Sequence, residues 1–202
     1  MSPEKVSAII LAAGESKRMQ AFKPLLTLGR MTVVERAIHL FKSAGIDDVL
    51  VVIGHRAHEL AALLAEWGVK HVVNEFHREG MFSSVVCGIG HLQPDHDAFY
   101  VLPVDIPLVR KETVLDLLGA YRTSGKSIIH PTFHGKRGHP PLIAYRLAPG
   151  ILHWSGEGGL RAFLRLHEPH SLDVDVADEG VLLDLDTDAD YRELLDRFGP
   201  EG

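Results

Sequence analysis

The sequence predicts a three-layer α/β fold: a mainly parallel sheet with one antiparallel excursion, covered by helices on both faces. Three observations predict it. Short apolar runs alternate with amphipathic stretches of about a dozen residues, the pattern of strands joined by helical crossovers. The runs are almost continuously apolar, as strands buried on both faces are. Beyond Ser127 the alternation gives way to two runs flanking a tight polar turn.

Val6–Leu11 is the first strand, and it runs into Ala12-Ala13-Gly14. Thr32 and Glu35 have capping-box spacing and open a helix to Ala44, closed by Gly45. Val49–Ile53 is the second strand, followed by a helix over Arg56–Trp67 stopped by Gly68. His71–Val73 reads as a strand, Ser83–Leu92 as a helix, and Ala98–Leu102 as a fourth strand before a helix near Glu112–Ser124. Ser127–Thr132 and Pro141–Tyr145 are the strands of the antiparallel excursion, around the turn His134–His139. Gly158–Leu166 is a helix, Ser171–Val176 a strand and Thr187–Phe198 a closing helix. The acidic run Asp173–Asp178 reads as a solvated strand and turn. With neither linker nor repeat, residues 1–202 read as one domain.

Composition narrows the function classes. A net charge of −6 argues against broad nucleic-acid or anionic-membrane binding, which need a basic surface. A single cysteine, Cys87, excludes an internal disulfide or thiolate cluster. The 13 histidines are scattered, with neither His-x-His nor HExxH spacing, and read mostly as surface residues. No apolar run approaches the roughly 18–20 residues of a membrane span, and no basic-then-hydrophobic leader precedes Val6, so the expected location is the cytoplasm.

Ligands of open α/β sheets bind beyond the carboxyl ends of the strands. Three unusual residues fall there: Gly14 after the first strand, Asn74 after the third and Asp105 after the fourth. Small residues in Leu11-Ala12-Ala13-Gly14 let backbone N–H groups approach phosphate oxygens, and Arg18 and Lys23 supply cations. The same loop is also compatible with an ordinary strand-to-helix turn carrying solvated cations, and it lacks the Gly-Lys-Ser/Thr ending of a Walker A loop. Asp105, with Pro103 and Pro107 on either side, is a stiffly held hard oxygen ligand suited to Mg²⁺, or a turn aspartate. Ser83 or Ser84 caps the following helix, whose N-terminus then faces anions or base edges. His139 by itself reads as a hairpin histidine, and Thr187 and Asp190 as caps of the last helix.

Five ordered segments together resemble the MobA/MocA-like nucleotidyltransferases, whose fold is glycosyltransferase-A-like and Rossmann-like. They are Leu11-Ala-Ala-Gly-Glu-Ser-Lys-Arg-Met19 with Lys23-Pro-Leu-Leu26; Val104-Asp-Ile-Pro-Leu-Val109; Asn74 with Gly80-Met-Phe-Ser-Ser84; Gly138-His-Pro140; and Asp184-Leu-Asp-Thr187. The branch they are most similar to is the molybdenum cofactor cytidylyltransferases. The turn Gly156-Glu-Gly-Gly-Leu-Arg161, by itself a helix start, is similar to a further family element. Departures are Gln20 and Val104, where the family has glycines, and Asp188-Ala189 in place of Pro-Glu.

The resemblance implies the following roles. Residues 6–125 form the nucleotide-binding portion, and 126–198 the acceptor side and closing helix. Leu11, Ala12, Ala13, Gly14, Arg18, Lys23, Asn74, Gly80, Met81, Ser83 and Ser84 hold an NTP. Arg18, Lys23 and Asp105 are the catalytic set, Asp105 and Asp186 ligate Mg²⁺, and His139 faces the acceptor. The resemblance implies molybdopterin as phosphorylated acceptor and CTP as donor, the latter marked by the Ala-Ala-Gly start, with a molybdenum enzyme as recipient of the product. The alternatives are a sugar- or alcohol-phosphate nucleotidyltransferase, and a non-catalytic nucleotide- or cofactor-binding chaperone.

Overall fold

A computed structural model describes residues 4–15, 19 and 21–198 of the chain. In chain order the elements are β1 (Val6–Ala12), the short hairpin β2 (Thr27–Leu28) and β3 (Met31–Thr32), α1 (Val33–Ser43), β4 (Asp48–Ile53), α2 (Ala57–Glu66) and β5 (Lys70–Val73). Then come α3 (Met81–Ile89), β6 (Ala98–Pro103), α4 (Lys111–Ser124), β7 (Ile128–Phe133), β8 (Lys136–Arg137) and β9 (Leu142–Ala144). The chain finishes with α5 (Ala148–Leu152), α6 (Gly159–Leu166), β10 (Ser171–Asp175) and α7 (Asp188–Phe198).

The main sheet runs β10-β7-β9-β6-β1-β4-β5, with β8 added on β7. β1 pairs in parallel with β4 and β6, β4 with β5, and β10 with β7. The antiparallel excursion is β9, wedged between β6 and β7 and antiparallel to both. From β1 the chain winds outward through β4 and β5, then crosses back to β6 on the other side of β1. The loops after β1 and β6 therefore diverge, and the crevice between them is the switch point where such sheets bind ligands.

Strand side chains divide by parity between two cores. Ala8, Ile10 and Ala12 of β1 and Val49, Val51 and Ile53 of β4 pack with Val33, Ala37 and Phe41 of α1, Leu60 and Leu64 of α2 and Leu117 of α4. Ile9, Leu11, Leu50 and Val52 face the other way, onto Val85 and Ile89 of α3, Ile151 of α5 and Phe163 of α6. These two apolar faces make the three layers. Among the described residues no helix is long and apolar enough to cross a membrane.

The Thr32–Glu35 capping box is formed: Glu35 N–H donates to Thr32 Oγ1, and Thr32 N–H donates to the Glu35 carboxylate. Two local expectations need correcting. The helix expected from Ser83 begins at Met81, capped by Gly80 with φ of 104°. Ser83 and Ser84 thus lie inside its first turn and cap nothing. The acidic run is not solvated throughout, because Asp178 is buried. Its carboxylate accepts from Arg110 N–H (2.8 Å), Thr113 Oγ1 (2.7 Å) and Gly180 N–H (3.0 Å), which ties the start of α4 to the segment after β10.

Candidate active site

The small-residue turn after β1 brings Ala12, Ala13 and Gly14 to the wall of a cavity of about 420 Å³, with Leu11 beneath them. Pro24 starts a 3-10 turn over Lys23–Leu25, which directs Lys23 into the same cavity. The Lys23 side chain is only 8% exposed at residue level, so its charge must be compensated.

Two carboxylates compensate it. Lys23 Nζ donates to Asp186 Oδ1 at 2.9 Å and lies 3.6 Å from Asp105 Oδ2. Asp105 follows β6, whose extension is stitched to β1 by Val104 N–H donating to the Leu11 carbonyl. The Asp105 carbonyl accepts from Leu185 N–H at 2.7 Å, which brings the distant Asp184–Asp186 segment alongside. That segment is fixed from the other side by α7. The Asp190 carboxylate accepts from Asp186 and Thr187 N–H, and Asp190 N–H donates to Thr187 Oγ1. The expected capping roles of Thr187 and Asp190 are thus formed, and their effect is to aim Asp186.

Burial pushes the Asp105 carboxyl above the usual carboxylate range; Lys23 opposes the shift and Asp186 adds to it. Asp184 is raised too, first by burial and then by Asp105 and Asp186. Among the described residues, the carboxylates of Asp105, Asp184 and Asp186 gather near the Lys23 ammonium as an excess of negative charge. That excess, made of hard oxygen donors, fits a divalent ion such as Mg²⁺.

The opposite wall is the start of α3. Gly80, Met81 and Ser84 line the cavity, and Val104 and Pro103 close its floor. Asn74 and Ser83 stand behind this wall. Asn74 Nδ2 donates to Ser83 Oγ and Ser84 Oγ, both at 2.9 Å, and Asn74 Oδ1 accepts from Phe76 N–H. Ser83 Oγ shares its proton between the carbonyls of Phe76 and Gly80. Asn74 and Ser83 therefore brace this wall, and both line a separate hollow shared with Phe76 and Trp154 rather than the cavity that holds Lys23. Arg18 and Gln20 lie outside the described residues.

His139 belongs to a second cavity, of about 730 Å³, that shares Leu11, Met81 and Pro103 with the first. Gly138 allows the chain to pass here: a Cβ on it would sit 2.4 Å from the Val181 carbonyl oxygen. His130 lines the same cavity, buried, with no hydrogen-bond partner on Nε2. Burial lowers both imidazoles to about 4, so both are neutral near pH 7. Arg161 and Arg165 of α6 and Lys136 of β8 give this cavity a cationic wall.

Sequence reasoning missed Asp184, His130 and this cationic wall. His130 had a signal: it shares strand parity with the inward Ile128, where a polar residue is out of place. Arg161 ends the Gly156–Arg161 turn that resembles a family element, whereas Arg165 had no signal, since arginines on a helix are ordinarily solvated.

Known proteins share the fold of this chain and place it in a family. Nicotine blue oxidoreductase of Paenarthrobacter nicotinovorans is 31% identical over 198 residues, covering 94% of this chain and 96% of that protein. A nucleotidyl transferase from Methanothermobacter thermautotroptrophicus superposes with a TM-score of 0.80 at 24% identity, covering 97% of this chain and 98% of the other. Rv0371c of Mycobacterium tuberculosis H37Rv, solved in complex with manganese, gives 0.75 at 24%, covering 95% and 98%. These structures share the α/β nucleotidyltransferase fold. Residues 8–173 match the family described as "MobA-like NTP transferase domain", which supports nucleotidyltransferase activity. The chain belongs to the MobA-like NTP transferase family.

Proposed function

We propose that this chain transfers CMP from CTP to the terminal phosphate of molybdopterin, releasing pyrophosphate. The observation that carries this reading is the Lys23 ammonium held by Asp105 and Asp186 at the edge of the small-residue turn. An acceptor phosphate oxygen would attack the α-phosphorus in line. The new P–O bond forms as the α–β anhydride bond breaks, and pyrophosphate leaves with the electron pair. The protein needs no nucleophile of its own; positioning and charge compensation supply the catalysis.

Asp105 and Asp186 would hold Mg²⁺, which when bound neutralises charge on the phosphate oxygens. Lys23 holds the two carboxylates side by side, and its ammonium would turn towards a phosphate. The backbone of Ala12–Gly14 and the start of α3 would receive the triphosphate and base. Arg18 is proposed as a further phosphate ligand on the family pattern. The second cavity suits the acceptor: its arginines and Lys136 match a phosphate, and the neutral His130 and His139 match the polar edge of a flat heterocycle.

A second reading has one specific observation behind it. The relative at 31% identity bears the name of an oxidoreductase and matches almost the whole chain. A chain of that kind would consume a reductant and release no pyrophosphate.

The deciding experiment measures pyrophosphate release with each NTP, with and without molybdenum-loaded molybdopterin, beside a panel of sugar phosphates. Release with CTP that depends on molybdopterin supports the proposal. Release with a sugar phosphate instead reassigns the acceptor. No release under any condition overturns the transferase reading.

A further inference from the structure

The carboxyl ends of β1, β4 and β5, three neighbours in the sheet, carry Glu15, His55 and His77 in the loops that follow them. One ligand atom from each lies within 4.8 Å of the others. None of the three belongs to the Lys23–Asp105–Asp186 group, although Glu15 and His77 line another part of the same cavity.

We propose that Glu15, His55 and His77 form a second cation site, selective for a divalent first-row transition ion such as Zn²⁺ or Co²⁺. The proposal stands whether or not the chain transfers a nucleotide.

The chain is built to bring these side chains together. His55 N–H donates to the Ala13 carbonyl at 3.1 Å, which ties the loop after β4 to the turn after β1. His77 N–H donates to the Asn74 carbonyl at 3.3 Å, which fixes the turn after β5. Gly54 is required where the loops meet. A Cβ there would stand 2.7 Å from His77 Cβ and 2.9 Å from Ala13 Cβ, closer than packed carbons come. A residue with a side chain at 54 would push His77 away from Glu15.

A second observation is independent of this closeness. His77 Nδ1 is buried and has no hydrogen-bond partner. A buried ring nitrogen left without a partner is costly, and a buried imidazole ordinarily gives its nitrogens to a ligand or a hydrogen bond.

The donor set selects the ion. Two imidazoles and one carboxylate match borderline transition ions, and this is the His₂Glu set of several zinc sites. Mg²⁺ prefers oxygen ligands in an octahedron and is a poor match. Ligand atoms on a tetrahedral ion bound at about 2.1 Å sit roughly 3.4 Å apart, so small side-chain rotations complete the cluster. Arg78 Nε lies 3.4 Å from Glu15 Oε1, but its side chain is 83% exposed and free to swing into solvent. An ion here would clamp three loops that border the nucleotide cavity, leaving a coordination position for water or a phosphate oxygen.

The test uses tag-free, metal-stripped full-length protein. Co²⁺ is titrated in and followed by visible absorption, and Zn²⁺ by calorimetry, both in excess Mg²⁺. The expected result is one equivalent bound, with imidazole-ligated Co²⁺ bands that Zn²⁺ abolishes. His55→Ala and His77→Ala should each weaken binding at least about tenfold, while Asp105→Asn leaves it unchanged. Glu15→Gln, on an external turn, provides a variant that keeps the fold, and circular dichroism verifies folding of all four. The proposal is overturned by absence of stoichiometric binding, by wild-type affinity in folded His55→Ala and His77→Ala, or by loss of the bands in Asp105→Asn alone.

Discussion

Lys23 Nζ sits 2.9 Å from Asp186 Oδ1 across a sequence separation of 163 residues, so the first turn of the chain and its last loop share one charge. Asp105 completes the contact from a third segment, 3.6 Å away on the same ammonium. The predictions follow from what each partner does for the others.

Lys23→Met removes the ammonium that Asp105 and Asp186 share, and leaves two partly buried charges facing each other. Stability should fall by about 1–3 kcal/mol, read as a lower urea midpoint. Pyrophosphate release should drop at least about a hundredfold, because a positioned charge at the phosphates is lost.

Asp105→Asn should do the opposite to stability. The raised Asp105 value means that the native state binds a proton more readily than the unfolded chain. Its stabilising contribution is complete below the ordinary carboxylate value and is lost as pH rises through the raised one. At neutral pH the charged carboxylate is therefore a net cost to the fold. Asp105→Asn should melt a few degrees higher than wild type at pH 7, with the gain shrinking under acid, while turnover is abolished. A lower melting temperature at pH 7 would contradict this.

His130 and His139 set an acid limit. Both are lowered from 6.5 to about 4 by burial, so their stabilising contribution is complete above pH 6.5 and lost as pH falls towards 4. His130→Leu should flatten the stability profile over that window and be neutral or mildly stabilising at pH 7, because it removes an orphaned Nε2. Thermal melts from pH 4 to 8 check the slope. If acceptor binding uses His130, the same variant raises KM for the acceptor and leaves that for the NTP unchanged.

Asp178→Ala should cost about 1–3 kcal/mol in chemical denaturation, since three donors, two of them in buried bonds, lose their acceptor at once. Asp173→Ala is the control, because its carboxylate pairs with Arg137 at the surface and should change stability by less than about 1 kcal/mol.

The layered fold was legible because its signals are local. Apolar runs in β1, β4 and β6 are continuous, and the Thr32–Glu35 box marks a helix start within four residues. The start of α3 was misread because serine is a good cap by composition, whereas Gly80 takes that place with a positive φ that a serine would adopt only under strain. Asp178 was misread for a related reason. An aspartate in an acidic run looks solvated, and only the fold shows that Arg110 and Thr113 come back to meet it. Of the site, the β1 turn, Asp105 and Asp186 were legible as motifs, because their segments are short and ordered. That Asp105 and Asp186 share Lys23 is a long-range fact, as is the meeting of Glu15, His55 and His77 from three loops.

Pyrophosphate release by the Asp105→Asn/Asp186→Asn double variant, beside wild type and across a Mg²⁺ titration, tests the central claim most directly. Wild type should release pyrophosphate only with the divalent ion and an acceptor, and the folded double variant should be slower by at least about a thousandfold at every Mg²⁺ concentration. A folded double variant within about tenfold of wild type, with the same Mg²⁺ dependence, would contradict the assignment of these carboxylates.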